Sequence, residues 1–168
     1  MRITKQLSAF AGILGLVLAS TGANAQLATP NGAGLTYGHV HLNVSSIDEH
    51  EALWVKHFGG RAAQKGPLRS VVLENTVMIF NERTPTSGSQ ATVMDHFGVK
   101  VRDIEAFLAK WRADDLPVVR EFIGAEGQKN AYVMMPDDVY VELQEDQGLS
   151  SEVSGYHIHY FTPQGEEL

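Results

Sequence analysis

The chain repeats itself, and the repeat constrains the fold more than any other feature. A shift of 57 residues lays His39-Val-His-Leu-Asn-Val44 on His96-Phe-Gly-Val-Lys-Val101, Ile47 on Ile104 and Trp54 on Trp111. A later stretch aligns at a shift of 62, with Val71-Val-Leu73 on Val133-Met-Met135 and Val77-Met-Ile-Phe80 on Val139-Tyr-Val-Glu142. The first matched segments alternate with period two and read as strands. Each is followed by a helical stretch. The first runs from about Ile47 to Phe58, with Ser45 or Ser46 as N-cap and Gly59-Gly60 as its stop. The second runs from about Ile104 to Asp114, with Ile104, Phe107, Leu108 and Trp111 at helical spacing and Pro117 just beyond. About three further strands follow in each copy, with turns at Glu74-Asn75 and Pro136-Asp137-Asp138. The change in shift predicts a longer loop in the second copy, around Gly124 to Lys129, and Gly60 to Leu68 reads as the matching loop of the first. The reading is an α+β fold of two βαβββ modules, about 36–85 and 92–146.

A third echo lies in the tail, 147–168. Gly155-Tyr-His157-Ile-His159-Tyr-Phe161 resembles Tyr37-Gly-His39-Val-His41-Leu42. It reads as the first strand of a third module whose remainder is missing, or as an edge strand that carries two histidines.

The beginning of the chain has a different character. A short basic start, an apolar run from Leu7 to Ala19 and the sequence Ala23-Asn24-Ala25 are the parts of a secretory signal, with cleavage expected after Ala25. The apolar run is shorter than the roughly 20 residues a bilayer span needs. Residues 26–35 read as a flexible lead-in. A periplasmic or secreted protein is expected, with no stable membrane insertion once the signal is gone.

Composition narrows the chemistry. The chain has no cysteine, so disulfides, thiolate metal sites and cysteine nucleophiles are excluded, and any metal must be held by His, Asp or Glu. A net charge of −7 argues against a nucleic-acid partner, which needs clustered Lys and Arg. The seven histidines are therefore the residues to place. His39 and His96 occupy equivalent positions of the repeat, whereas the counterpart of His41 is Gly98.

A duplicated βαβββ module resembles the vicinal oxygen chelate superfamily, which includes glyoxalase I, extradiol dioxygenases, fosfomycin-resistance proteins and bleomycin-resistance proteins. The resemblance spans roughly Leu35 to Glu145. It implies that the modules curl into an open, cupped mixed sheet around a divalent metal. It also implies that the ligands are His39, His96 and Glu142, the last in Val-Tyr-Val-Glu-Leu-Gln. Two imidazoles and a carboxylate leave positions open for substrate and suit Zn(II), Mn(II) or Fe(II). Glyoxalase I and the epimerases place a further ligand on the last strand of the first module, where this alignment has Phe80. In the extradiol pattern a Tyr stands ten residues before the Glu and a Pro six before it, which Tyr132 and Pro136 match. The His that this pattern places before the Tyr is absent, since Gly124, Ala125 and Glu126 fill its window.

The resemblance thus implies a metal-dependent enzyme acting on a small, oxygen-bearing, bidentate substrate by dioxygenase or lyase/isomerase chemistry, with His41 and Tyr132 as catalytic candidates. Outside the cytoplasm zinc outcompetes iron and manganese on intrinsic affinity, which favours Zn(II) or Mn(II) chemistry at least as readily as an oxygenase. The alternative is a small-molecule-binding module like the bleomycin-resistance proteins, or half of a double-domain protein. Family members build the cup within one chain or across a homodimer, and both arrangements fit.

Overall fold

The computed structural model describes residues 32–36 and 38–162. The expected signal, its cleavage site at Ala25 and most of the lead-in lie outside the described residues. Strand β1 (His39–Val44) leads into helix α1 (Ile47–Phe58), then strands β2 (Arg61–Lys65), β3 (Leu68–Val72) and β4 (Val77–Glu82). The order then recurs as β5 (Met94–Val101), α2 (Ile104–Ala113), β6 (Val118–Ile123), β7 (Lys129–Met135) and β8 (Val139–Glu145). A last strand, β9 (Val153–Tyr160), has no counterpart in the first copy. No helix among the described residues is long and apolar enough to cross a membrane.

Local chemistry sets the helix ends. Ser46 caps α1, its side chain accepting from the Glu49 N–H at 3.3 Å, and Asp48 and Glu49 place negative charge in the first turn. The helix ends on Gly59 at φ 66°, a left-handed conformation that favours glycine. Asp103 caps α2, accepting from the Ala106 N–H at 2.9 Å. The stretch Gly60 to Leu68, expected as a loop, is instead mostly strand. Only Gly66 and Pro67 separate β2 from β3, whereas residues 124–128 separate β6 from β7.

The strands form two mixed sheets, β1-β4-β3-β2 and β6-β7-β8-β5-β9. In each copy the first strand pairs in parallel with the last, β1 with β4 and β5 with β8. Helix α1 packs on β2–β4, and α2 on β6–β8. Alternation then sorts the side chains. Val40, Leu42, Val44, Met78, Phe80, Phe97, Val99, Val141 and Leu143 face the helices in one buried core. His39, His41 and Asn43 point to the helix-free face and are exposed.

Register corrects one expectation. Val72 pairs with Val77, but its counterpart Met134 pairs with Tyr140, so the last strands are offset by one residue more than the 62-residue shift. The structural counterpart of Glu142 is therefore Ile79, and Phe80 is a buried core residue. A one-residue slip moves every side chain to the other face. Ile79 cannot ligate either, so the first module still offers no carboxylate at that place.

The modules meet through their helices and through two aspartates. Phe58 packs edge-on against Phe107 at 5.2 Å and Trp111 at 5.9 Å. Asp137, in the turn between β7 and β8, accepts from the Ser45 N–H at 2.7 Å and the Ser45 hydroxyl at 2.6 Å, and lies 3.2 Å from His50 Nε2. Asp114 at the end of α2 lies 2.8 Å from His57 Nε2 and 2.6 Å from Lys56 Nζ. His50 and His57 are thus packing residues between modules, away from the helix-free face.

Burial lowers the pKa of both His50 and His57 below the ordinary value, and their aspartate partners only partly offset it. Each is neutral in the fold yet takes a proton near pH 6.5 when unfolded, so stability falls as pH drops through about 6.5. The slope from each is at most about 1.4 kcal/mol per pH unit. His96, whose pKa is raised, acts in the opposite sense, leaving two histidines against one. Urea midpoints of metal-free protein at pH 7.5 and 5.5 check the sign, and a midpoint that rises on acidification contradicts it.

Candidate metal centre

On the helix-free face of the second sheet, titratable groups from three strands converge. His96 comes from β5, Glu142 from β8, and His157 and His159 from β9. Register explains the meeting, since β9 pairs antiparallel with β5 and sets His159 opposite His96 and His157 opposite Gly98. A Cβ on Gly98 would lie 2.2 Å from the His157 ring, so the missing side chain makes room for that imidazole. The strand is also held from the other module. Asn75, in the turn before β4, donates to the Gly155 carbonyl at 2.8 Å and accepts from the Gly155 N–H at 2.8 Å.

His96 is the hub, 4% exposed. Its Nδ1 lies 2.6 Å from Asp95 Oδ1 and its Nε2 lies 3.2 Å from Glu142 Oε2. Both partners are carboxylate oxygens, which only accept, so an imidazole bonded to both carries a proton on each nitrogen. Burial acts to lower the His96 pKa, but the hydrogen bonds to Glu142 and Asp95 outweigh it and hold the pKa above its ordinary value. Burial would likewise raise Glu142, yet hydrogen bonds from His157, His96 and Asn130 hold its carboxyl down at about 2. Asn130 donates to Glu142 Oε1 at 2.8 Å, which leaves Oε2 for the histidines. His157 Nε2 lies 3.3 Å from that oxygen and 3.5 Å from His96 Nε2. His159 stacks on His96 at 4.6 Å between centroids.

These residues fit a divalent metal. The donors are imidazole nitrogens and an ionised carboxylate, the set that suits zinc, manganese or iron. Asp95 on Nδ1 is the outer partner that fixes a ligating imidazole's tautomer and leaves Nε2 free for a cation. Among the described residues, one group of three histidines, His96, His157 and His159, has ligand atoms all within 4.8 Å of one another.

The sequence-derived residues divide between the two sheets. His96, Glu142 and Tyr132 come together, with Tyr132 directly across from Glu142 in the β7–β8 ladder and its ring 5.4 Å from that of His96. Burial, and then the Glu142 charge, pushes the Tyr132 hydroxyl up to about 12, so it stays protonated at neutral pH. His39 and His41 are elsewhere, on β1 of the first sheet, where their rings meet edge-on at 5.0 Å. His41 lines a groove with Asn43, Ser89, Thr92, Met94 and Asp137. His157 and His159, on the segment read as the start of a third module or as an edge strand, join this face beside His96. Their signal was the repeated His-x-His motif, combined with a glycine at position 98 that leaves a gap on the facing strand.

No family model matches the chain, and neither does any curated protein. Solved structures do. A lactoylglutathione lyase from Agrobacterium tumefaciens aligns at 18% identity and TM-score 0.53, over 69% of this chain and 97% of its own. A member of the glyoxalase/bleomycin resistance protein/dioxygenase superfamily from Sphaerobacter thermophilus aligns at 16% and 0.54, over 67% and 98%. The fosfomycin resistance protein FosX from Listeria monocytogenes aligns at 11% and 0.54, over 67% and 93%. The chain therefore has the vicinal oxygen chelate fold. Strand β9 adds to the second sheet as an edge strand.

Proposed function

We propose that this protein is an exported, metal-dependent enzyme acting on a small organic substrate that offers two neighbouring oxygens. The observation that carries the reading is the contact of His96 Nε2 with Glu142 Oε2, with Asp95 on the far side of the imidazole. A carboxylate held ionised beside a histidine whose other nitrogen is already fixed is a prepared site for a divalent cation. When bound, the cation would supply Lewis acidity toward a carbonyl or hydroxyl oxygen of the substrate.

The chain's own residues then have separate tasks. His96 and Glu142 hold the cation, Asp95 keeps the His96 Nδ1 proton in place, and Asn130 fixes the Glu142 carboxylate. Tyr132, protonated at neutral pH, donates a hydrogen bond to a substrate oxygen rather than removing a proton. His41, exposed on a groove that also reaches Met94 of β5, is the remaining candidate for proton exchange with the substrate. Lyase or isomerase chemistry needs only these proton transfers, whereas dioxygenase chemistry would also require Fe(II) and oxygen. Export is supported by the basic start, apolar run and Ala23-Asn24-Ala25 of the N-terminus, and a mature chain beginning at Gln26 is its check.

The test is turnover. Chelator-treated protein, reloaded in turn with Zn(II), Mn(II) and Fe(II), is assayed against vicinal diols, catechols and α-hydroxycarbonyl compounds. Turnover that appears only after reloading is expected. Equal binding of such compounds with and without metal, and no turnover, contradicts the proposal.

A further inference from the structure

We propose that the third metal ligand is His157 on the C-terminal strand rather than His39 on β1, so that the bound cation clasps β9 to the second sheet. This rests on the metal-dependent reading above and specifies where its ligand set is closed.

The geometry is a triangle. His96 Nε2, His157 Nε2 and Glu142 Oε2 are separated by 3.5, 3.2 and 3.3 Å. Donors about 2.0–2.2 Å from one cation, at angles between octahedral and tetrahedral, lie about 2.8–3.6 Å apart. All three separations fall in that range, so one cation can replace the shared protons with little movement of the side chains. His39 meets His41 in the other sheet, and neither belongs to the close group around His96.

Two features of β9 serve this placement. Gly98 stands where the first copy has His41, and the His157 ring occupies the space the glycine leaves. Asn75 grips Gly155 through both of its backbone groups, two residues before His157, which fixes the strand along its length from the opposite module. His159, on the same face, stacks on His96 and covers it. The His-x-His motif of β1 is thus repeated on β9, and the later copy reaches the site. A cation bridging β5, β8 and β9 ties the final strand to the sheet interior, so metal binding and docking of the C-terminal strand are linked.

Co(II) is the probe, because its visible spectrum reports the donors bound. Full-length mature protein is titrated alongside His157→Ala, His39→Ala and His96→Ala variants. His157→Ala is expected to weaken Co(II) binding at least 100-fold and change the spectrum, with His39→Ala within about twofold of the parent. In the unmutated protein, Co(II) is expected to slow amide exchange across 153–160 at least tenfold. Loss of binding in His39→Ala with retention in His157→Ala overturns the inference and leaves the proposed function standing. So does exchange in β9 that Co(II) does not change. Failure of the unmutated protein to bind Co(II) overturns both.

Discussion

His96→Ala should abolish stoichiometric binding of a divalent metal and, with it, all metal-dependent turnover. His96 touches both carboxylates of the site and lies within 3.5 Å of His157. Removing it deletes a ligand and leaves Asp95 and Glu142 without their common partner, two negative charges in a half-buried pocket. Outer-sphere substitutions cost metal sites about 10–100-fold in affinity. Asp95→Asn should fall in that range, and His96→Ala, which removes the ligand itself, should exceed it. Isothermal titration with Zn(II) checks both. A His96→Ala variant that binds within tenfold of the parent contradicts the assignment of this residue.

Trp111→Ala should destabilise the fold by about 3–5 kcal/mol, the range for truncating a fully buried Trp. Trp111 is 0% exposed and lies where the two modules join. Its ring meets His57 at 4.9 Å, Phe58 at 5.9 Å and Phe107 at 5.9 Å, and its indole N–H donates to the Pro117 carbonyl at 3.0 Å. The alanine leaves a large cavity beside the residues that position β6, and the Pro117 carbonyl keeps only the Met134 N–H as donor, at 3.2 Å. Against a typical net stability of about 5–15 kcal/mol this is a large share. Its repeat counterpart Trp54 is equally buried, but its indole nitrogen has no hydrogen-bond partner, so Trp54→Phe should cost less than Trp111→Phe. Urea unfolding followed by circular dichroism measures each, and a loss under about 1 kcal/mol for Trp111→Ala contradicts the role given to this interface.

The repeat made much of the fold legible, because capping and periodicity are local. Ser46 and Gly59 bound α1 as their chemistry requires, and the alternation of β1 and β5 separates core from helix-free face. That His96 and Glu142 share the helix-free face was legible for the same reason, since each stands on a strand whose facing is set by its neighbours; their role as ligands came only from the family resemblance. What failed was long-range. Phe80 was placed opposite Glu142 because the turn before β8 is one residue longer in register than the turn before β4, and alternation turns that single residue into the wrong face. The approach of His157 to His96 was not legible because the strand that receives it lies about 60 residues earlier, and no local pattern states which edge β9 will join. Gly98 was the one indirect sign, a gap in the repeat that a distant side chain fills.

The most direct measurement is an anomalous-difference map from crystals of Zn(II)-loaded protein, recorded at the zinc edge. The proposed site predicts one dominant peak about 2.0–2.2 Å from His96 Nε2, His157 Nε2 and Glu142 Oε2. A peak on His39 and His41, or none near His96, would contradict it.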